Sequence, residues 1–465
     1  MTRLTAFMPR IGRLTAFLLG IGIFVSLIGQ GFAQEAPAIV IEDVTVIDVD
    51  LGERVENQTV VVSGNRIASV RAASGAESPP GVRVLDGRGK FLIPGLWEMH
   101  AHAFEHYGID YDFSMDMYKL FLAHGVTGVR DMGSYLGQLL AGKRRIASEN
   151  LPAPRIVASG PFLETAPSRR FGPEHMVYTP EEARSAVDSL VAGGIDFLKI
   201  HNGLTSEVYY AAVEQAKRHH LVFSGHVPQS ITIMDASDSG MRSVEHLMAL
   251  GRTCRDDIPT GRGESETPIE LNEPACRAAI EHLAGNGTFI TPTMIFSAEL
   301  AVDSPAVSQE RLQYMKPAKA EYYRPPPIYD SEADRNLHEF NQRLLRLVVE
   351  GGVTILAGTD TGAFYRLPGF ALHDELTLLV EAGLSPLDAL RAATLNPALY
   401  FDRRGELGSI EAGKLADLVL LDADPLEDIS NTTRISAVVA DGKLYDAAAI
   451  EDLLADVLAS SKRLL

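Results

Sequence analysis

Hydrophobic and polar positions alternate at both ends of the chain. Residues Ile39 to Val49 and Gln58 to Val70 alternate and are rich in β-branched side chains, with turns at Gly52 and Gly64-Asn65. A period of two predicts strands. A third run precedes Phe91. A matching set lies near the C-terminus, Leu418 to Leu421 and then Ala437 to Ala440, with Asp441-Gly442 as a hairpin turn. Short strands at both ends, none with a complete core, predict one small β-sandwich assembled from the two termini.

Between them, strand, loop and helix patterns repeat. The predicted strands are Leu96–His102, Val126–Asp131, Arg155–Gly160, Asp196–His201, Leu221–His226, Ser243–His246, Thr288–Thr293 and Thr354–Thr359. Helical patterns separate them, among them Pro180–Ala192 behind Thr179 as N-cap, Ser206–His219 and Glu332–Gly351. Eight strands alternating with helices over about 300 residues fit a (β/α)8 barrel. The expected fold is α/β: a TIM barrel over residues 93–403, with sandwich segments at 34–92 and 404–465 and an amphipathic helix from Ala447 to Leu458. Two long connections, after His246 and after Thr293, break the rhythm, and Lys316–Tyr329 with its four prolines reads as part of a lid.

Charge narrows the partners. Lys and Arg number 42 against 61 Asp and Glu, a formal net charge of −19. Such a surface repels phosphate backbones, so nucleic acid is excluded as a partner. The N-terminus reads as a signal peptide over residues 1–33. Arg3, Arg10 and Arg13 precede an apolar run, Leu14 to Gly29, and Gly31-Phe32-Ala33 offers a cleavage site after Ala33. That run is shorter than the ~20 residues that span a bilayer, which favours cleavage over a retained anchor. The expectation is export to the periplasm or beyond, with no membrane contact after cleavage. Cys254 and Cys276 are the only cysteines, and sequence leaves their pairing open.

The candidate chemistry sits at strand ends. His100-Ala101-His102 closes an apolar run, and side chains two apart on a strand share a face. Two neutral imidazoles so placed are good metal ligands. His226 ends the fifth predicted strand, His246 the sixth and Asp360 the eighth. Convergence of ligand-type residues at one end of a barrel is where this fold builds active sites. Lys199 ends the fourth strand. It is read either as a cation paired with a carboxylate or as a carbamate formed with CO2. His201, Tyr209, Arg130 and Tyr365 are candidate substrate contacts, and Asp131 and Glu245 are candidates to orient the histidines.

These motifs together resemble the amidohydrolase superfamily, in its branch of imidazolonepropionase-like and Xaa-Pro or Xaa-Arg dipeptidase-like enzymes. The resembling segments are PGLWEMHAH, AHGVTGVRDMG (Ala123–Gly133), DFLKIHN, SGHVP, SVEHL, AGTDTG, Leu372–Ala398 and Gly408–Pro425. The resemblance implies a site with two divalent metal ions, zinc foremost. It implies that His100, His102 and Asp360 bind the first, that His226 and His246 bind the second, and that Lys199 is an N6-carboxylysine bridging both. It also makes Asp360 the catalytic base. The expected function is hydrolysis of an amide or peptide bond in a small molecule, a dipeptide or an N-acyl amino acid. A cyclic amide, lactone or toxin-like amide is the hydrolytic alternative, and a non-catalytic secreted binding protein the alternative of another class. The oligomeric state is open, a homo-oligomer included.

Overall fold

The computed structural model describes residues 39–74, 81–103, 111–165, 174–256, 268–301, 309–314, 332–362 and 366–462. The leader, the predicted lid segment Lys316–Tyr329 and Tyr365 lie outside the described residues.

Both ends of the chain build one mixed sheet of eight strands. The N-terminal part gives β1 (Ile39–Asp48), β2 (Glu53–Ser63), β3 (Arg66–Ala72), β4 (Arg83–Asp86) and β5 (Phe91–Pro94). The C-terminal part contributes its last three strands, Leu418–Leu421, Ile435–Ala440 and Lys443–Asp446. β5 is the seam, running parallel to β1 and antiparallel to Leu418–Leu421. Alternation explains why the sheet has two buried faces. Ile39, Ile41, Val44, Val46, Leu92, Leu418 and Leu420 gather in one apolar cluster. Their neighbours Ile47, Val49, Ile93, Val419 and Leu421 belong to the main core instead. The Asp441-Gly442 turn adopts φ of 49° and 75°, the geometry a tight hairpin needs.

The middle of the chain carries parallel strands separated by helices. Three pair in the order β6 (Leu96–Ala101), β7 (Val126–Asp131) and β8 (Arg155–Ala158). Six form a second sheet: β9 (Phe162–Glu164), β10 (Glu174–Met176), β11 (Leu198–Ile200), β12 (Phe223–Gly225), β13 (Ser243–Glu245) and β14 (Phe289–Thr291). Every residue of β6 and β7 is buried, as expected of parallel strands covered on both faces. Residues 354–361 form only isolated bridges, to Ile290 on one side and Ala101 on the other. Hydrogen bonds support both sides: Leu356 N donates to Ile290 O (2.9 Å), Met99 N to Ala357 O (2.9 Å) and Asp360 N to His100 O (2.7 Å).

The helices start where local chemistry allows. α1 (Tyr111–Ala123) and α2 (Leu136–Glu149) flank β7. α3 (Pro180–Ala192) opens with Thr179 and Glu182 in a reciprocal capping box. α4 (Ser206–Arg218) is capped by Thr205. α5 (Ile233–Asp238), α6 (Met248–Thr253), α7 (Glu273–Gly285) and α8 (Met294–Leu300) follow β12, β13 and β14. The last helix, Ala447–Lys462, packs Val457 against Met117 and Leu120 of α1. Among the described residues, no helix is long and apolar enough to cross a membrane.

Cys254, at the C-cap of α6, is disulfide-bonded to Cys276 of α7, with Cα atoms 4.7 Å apart. Both are fully buried. Closing a loop of 22 residues' separation should restrict the unfolded chain by about 3 kcal/mol. A Cys254→Ala, Cys276→Ala double variant is expected to lose about that much in urea unfolding. A loss under about 1 kcal/mol would mean that the bond does not constrain the chain.

His373, in the helix Phe370–Glu381, ties that helix to Thr432 (2.9 Å) and to the carbonyl of His124 (3.1 Å). Burial pulls its imidazole down to about 4. Above the unfolded value of about 6.5 both states are neutral and nothing is gained or lost. Below it the unfolded chain takes a proton that the folded one refuses, so stability falls between about 6.5 and about 4, by up to ~1.4 kcal/mol per pH unit. Relative to wild type, His373→Gln should show a shallower loss of thermal midpoint from pH 7 to 5. Parallel curves would remove His373 from the acid response.

Candidate metal centre

The ligand-type side chains converge because strand pleat and strand ends place them together. Glu98 and His100 share one face of β6, and His102 follows directly after its last residue. Trp97 and Met99 take the other and pack with Phe289, Leu356, Tyr400 and Leu407. The chain needs glycine where strands approach closely. A Cβ on Gly358 would meet His100 N at 2.8 Å. Gly225, at φ 136°, would place one 2.2 Å from Ile200 O. The G in AGTD and in SGHV is thus a packing requirement close to a candidate ligand.

His100, His246 and Asp360 bring one donor atom each to within 4.8 Å of one another. His102 Nε2 is 3.1 Å from Asp360 Oδ1. The rings of His100 and His246 lie 4.9 Å apart, and those of His246 and His226 also 4.9 Å apart. Sequence reasoning paired His246 with His226 and kept both apart from His100. Here His246 stands between them, within reach of either group. Lys199 is 1% exposed in this cluster, and its charge is felt at His100, His226 and His246.

Three of the histidines are held from behind. A carboxylate can only accept, so His100 Nδ1 donates to Glu245 Oε2 (2.9 Å) and its Nε2 carries the lone pair. His102 Nδ1 donates to Gly133 O (3.2 Å). His246 Nδ1 meets Thr293 Oγ1 at 2.6 Å. Asp131 grips the backbone beyond β6 and β7, accepting from Ala103 N (2.9 Å) and Gly133 N (3.1 Å). Glu245 therefore holds a ring, as the sequence suggested, whereas Asp131 acts on the backbone at Ala103 and Gly133. His246, Thr293 and Asp360 adopt left-handed φ of 63°, 49° and 57°. Such residues cluster at functional sites because the turn re-aims a side chain at some cost.

The electrostatics favour metal binding. Burial holds His100 and His226 well below the ordinary imidazole value, and His246 at about 4, so all three are neutral donors. Burial opposes ionisation of Asp360, but Arg366, then His102 and His100, outweigh it and keep the carboxyl ionised. Burial pulls the Lys199 amine down to about 8. Among the described residues, two buried ring nitrogens, His100 Nε2 and His226 Nδ1, have no hydrogen-bond partner. Buried polar atoms are rarely left so. Neutral imidazoles with unspent lone pairs beside an ionised carboxylate fit a divalent cation.

Two predicted substrate contacts are corrected. Arg130 is fully buried beneath the cluster. It donates to Met99 O (2.6 Å), Ser243 Oγ (2.8 Å) and Glu245 (2.8 Å), and stacks 4.6 Å from the Tyr400 ring. Every face of the guanidinium is spent inside the protein. Tyr209 is fully buried on α4, its hydroxyl 3.3 Å from Ser239 Oγ, so it is core. His201 does join the site. Its ring stands 4.5 Å from that of His226, stacks on Phe162 and is held by Glu164 Oε2 at 2.5 Å.

Three site residues were missed. Glu98 accepts from His100 N and Thr359 N (both 2.9 Å), and burial raises it to about 7. A carboxylate alternating with two histidines in an apolar strand was the available signal. Glu164 lies on a three-residue strand without a period to read. Arg366 donates to Asp360 Oδ2 (3.2 Å) from six residues on, and no motif marks it.

The sequence model of the amidohydrolase family matches residues 91–445. Ochratoxinase from Aspergillus niger is 25% identical over 462 aligned residues, covering 85% of this chain and 84% of that protein. Among solved structures, a bottromycin amidohydrolase superposes with a TM-score of 0.72 at 23% identity, over 91% of this chain and 90% of that one. A Xaa-Pro dipeptidase with bound methionine gives 0.68 at 22%, over 88% and 100%.

Removing Arg130 would leave Glu245 ionised in the interior. Arg130→Ala is expected to lower unfolding free energy by about 3–5 kcal/mol. An unchanged denaturation midpoint with a raised KM would instead restore Arg130 as a substrate contact.

Proposed function

The chain belongs to the amidohydrolase family, and on that premise we propose that it is a metal-dependent hydrolase of amide or peptide bonds in small molecules. The observation that carries this is the cluster of His100, His246 and Asp360, extended by His102 and His226 and leaving two buried imidazole nitrogens without partners among the described residues. The closed (β/α)8 barrel is part of the reading. Its support is that residues 354–361 hydrogen-bond to β14 on one side and β6 on the other. The sheet drawn from both termini supports a second, smaller domain.

We assign the metal donors as His100, His102, His226, His246, Asp360 and a carboxylated Lys199, around two divalent cations, zinc foremost. Bound cations of this kind lower the pKa of water and polarise a carbonyl. The chain's own residues do the rest. Glu245, Gly133 and Thr293 fix which nitrogen of His100, His102 and His246 is free. Asp360, held ionised by Arg366, takes the proton of the attacking water and delivers it to the leaving nitrogen. Lys199 lies among neutral imidazoles with its amine lowered to about 8, which favours the uncharged form that combines with CO2. As a carbamate it would supply the anionic bridge that a lysine cation would oppose.

Likeness to a Xaa-Pro dipeptidase and a bottromycin amidohydrolase favours a dipeptide or N-acyl amino acid. Likeness to an ochratoxinase over 85% of the chain keeps a toxin-like amide as the second reading. Export, suggested by the leader, is supported by the Cys254–Cys276 bond, since such bonds persist in oxidising compartments.

Lys199→Ala should lose bound metal and activity together, whereas Asp360→Asn should lower kcat by about 100-fold or more with little change in KM. Metal analysis of the purified protein, with turnover of dipeptides and N-acyl amino acids, reads both. Less than about one metal per chain, with no turnover after zinc or manganese loading, would overturn the enzyme reading.

A further inference from the structure

An amide substrate ending in a carboxylate needs a cation, and the two interior arginines nearest the cluster are committed. Arg130 is spent on Glu245, and Arg366 on Asp360 and Glu299. We infer that Arg252 is the residue that grips a substrate carboxylate and so selects N-acyl amino acids and dipeptides over uncharged amides. The inference rests on the hydrolase reading above and names the substrate class of that site.

Position comes first. Arg252 lies in the last turn of α6, the helix that begins two residues beyond His246. Its side chain reaches across to the neighbouring strand end, where Nη2 donates to Val227 O at 3.2 Å. Val227 directly follows His226. The guanidinium thus bridges the ends of β12 and β13, the two strands whose histidine rings stand 4.9 Å apart in the cluster. The long connection after His246 carries it, and loops beyond strand ends are where this architecture chooses its substrates.

Charge comes second. Among the described residues, Arg252 has no ion-pair partner. Burial lowers its basicity, and no carboxylate among the described residues opposes the effect. A half-buried guanidinium left unpaired is costly. Its planar fork matches a carboxylate bidentately once one arrives. A chain of net charge −19 repels anionic ligands at large, so a local cation is required to hold one.

Rigidity comes third. Two residues past Arg252, Cys254 is bonded to Cys276 of α7. The short helix is therefore pinned on the side away from the strands, and the arginine is presented without the entropy cost of a mobile loop.

The test compares N-acetyl amino acids with their carboxamides in metal-loaded protein. Wild type should prefer the acids. Arg252→Gln should lower the acid-to-amide ratio of kcat/KM by 10- to 100-fold, chiefly through KM for the acid, and Arg252→Lys should lower it less. If Arg252 is only a strut, both substrates will fall together and the ratio will hold, which overturns the inference. Thermal midpoints of both variants show that they are folded. A calorimetric arm measures binding of the same N-acetyl amino acids to wild type and Arg252→Gln. Without turnover of either substrate the hydrolase reading falls, while Arg252-dependent binding of the acids would still uphold the carboxylate site. Binding indifferent to Arg252, or no binding, overturns it.

Discussion

The carboxylate of Glu245 is the hinge of the structure. It is fully buried at the end of β13, with Arg130 of β7 on one side and His100 of β6 on the other. Three strands distant in sequence thereby share one charge balance. Burial alone would protonate it, but Arg130, then His100 and Lys199, together outweigh burial and keep it ionised. An ionised Glu245 fixes the proton on His100 Nδ1, and only then does Nε2 face the cluster as a donor. A buried ion pair of this kind is a poor source of net stability. Its retention makes sense as a device for orientation, since a hydrophobic replacement of equal volume would leave His100 free to choose its tautomer.

Much of this was legible in the sequence, for a physical reason. Parallel strands buried on both faces read as apolar runs, and a polar ligand at the end of such a run stands out. His100, His102, His226, His246 and Asp360 were picked out that way as candidate ligands, and β7 runs over Val126–Asp131 as expected. The eighth element was expected as a strand over Thr354–Thr359. It forms bridges at Ile355 and Thr361 only, because its backbone turns left-handed at Asp360 to aim the carboxylate. Strand regularity is given up where the chemistry is placed.

What the sequence withheld was direction. Arg130 and Tyr209 carry groups that bind anions and so looked like substrate contacts. Position along a strand or helix does not reveal whether a long side chain turns toward the mouth or toward the floor. Arg130 was drawn down by the buried carboxylate it neutralises, and Tyr209 by the packing of α4. Glu164 and β10 belong to a pairing three residues long, too short for periodicity to register. Arg366 was invisible because no motif marks it as the partner of Asp360.

The supports of the cluster also differ in kind, and the difference matters for how the site can change. Gly133, Val227 and Ile200 act through main-chain carbonyls, which any side chain provides. Glu245, Arg130, Thr293 and Arg366 act through side chains, each answering another buried group. Backbone supports leave the strand ends open to new loops. Side-chain supports lock the donors beneath. A fold so divided can exchange the connection after His246, and with it the groups that meet the substrate, without disturbing the protonation states below. The committed arginines lie beneath the donors, and Arg252, without an ion-pair partner among the described residues, lies on the short helix that opens that connection.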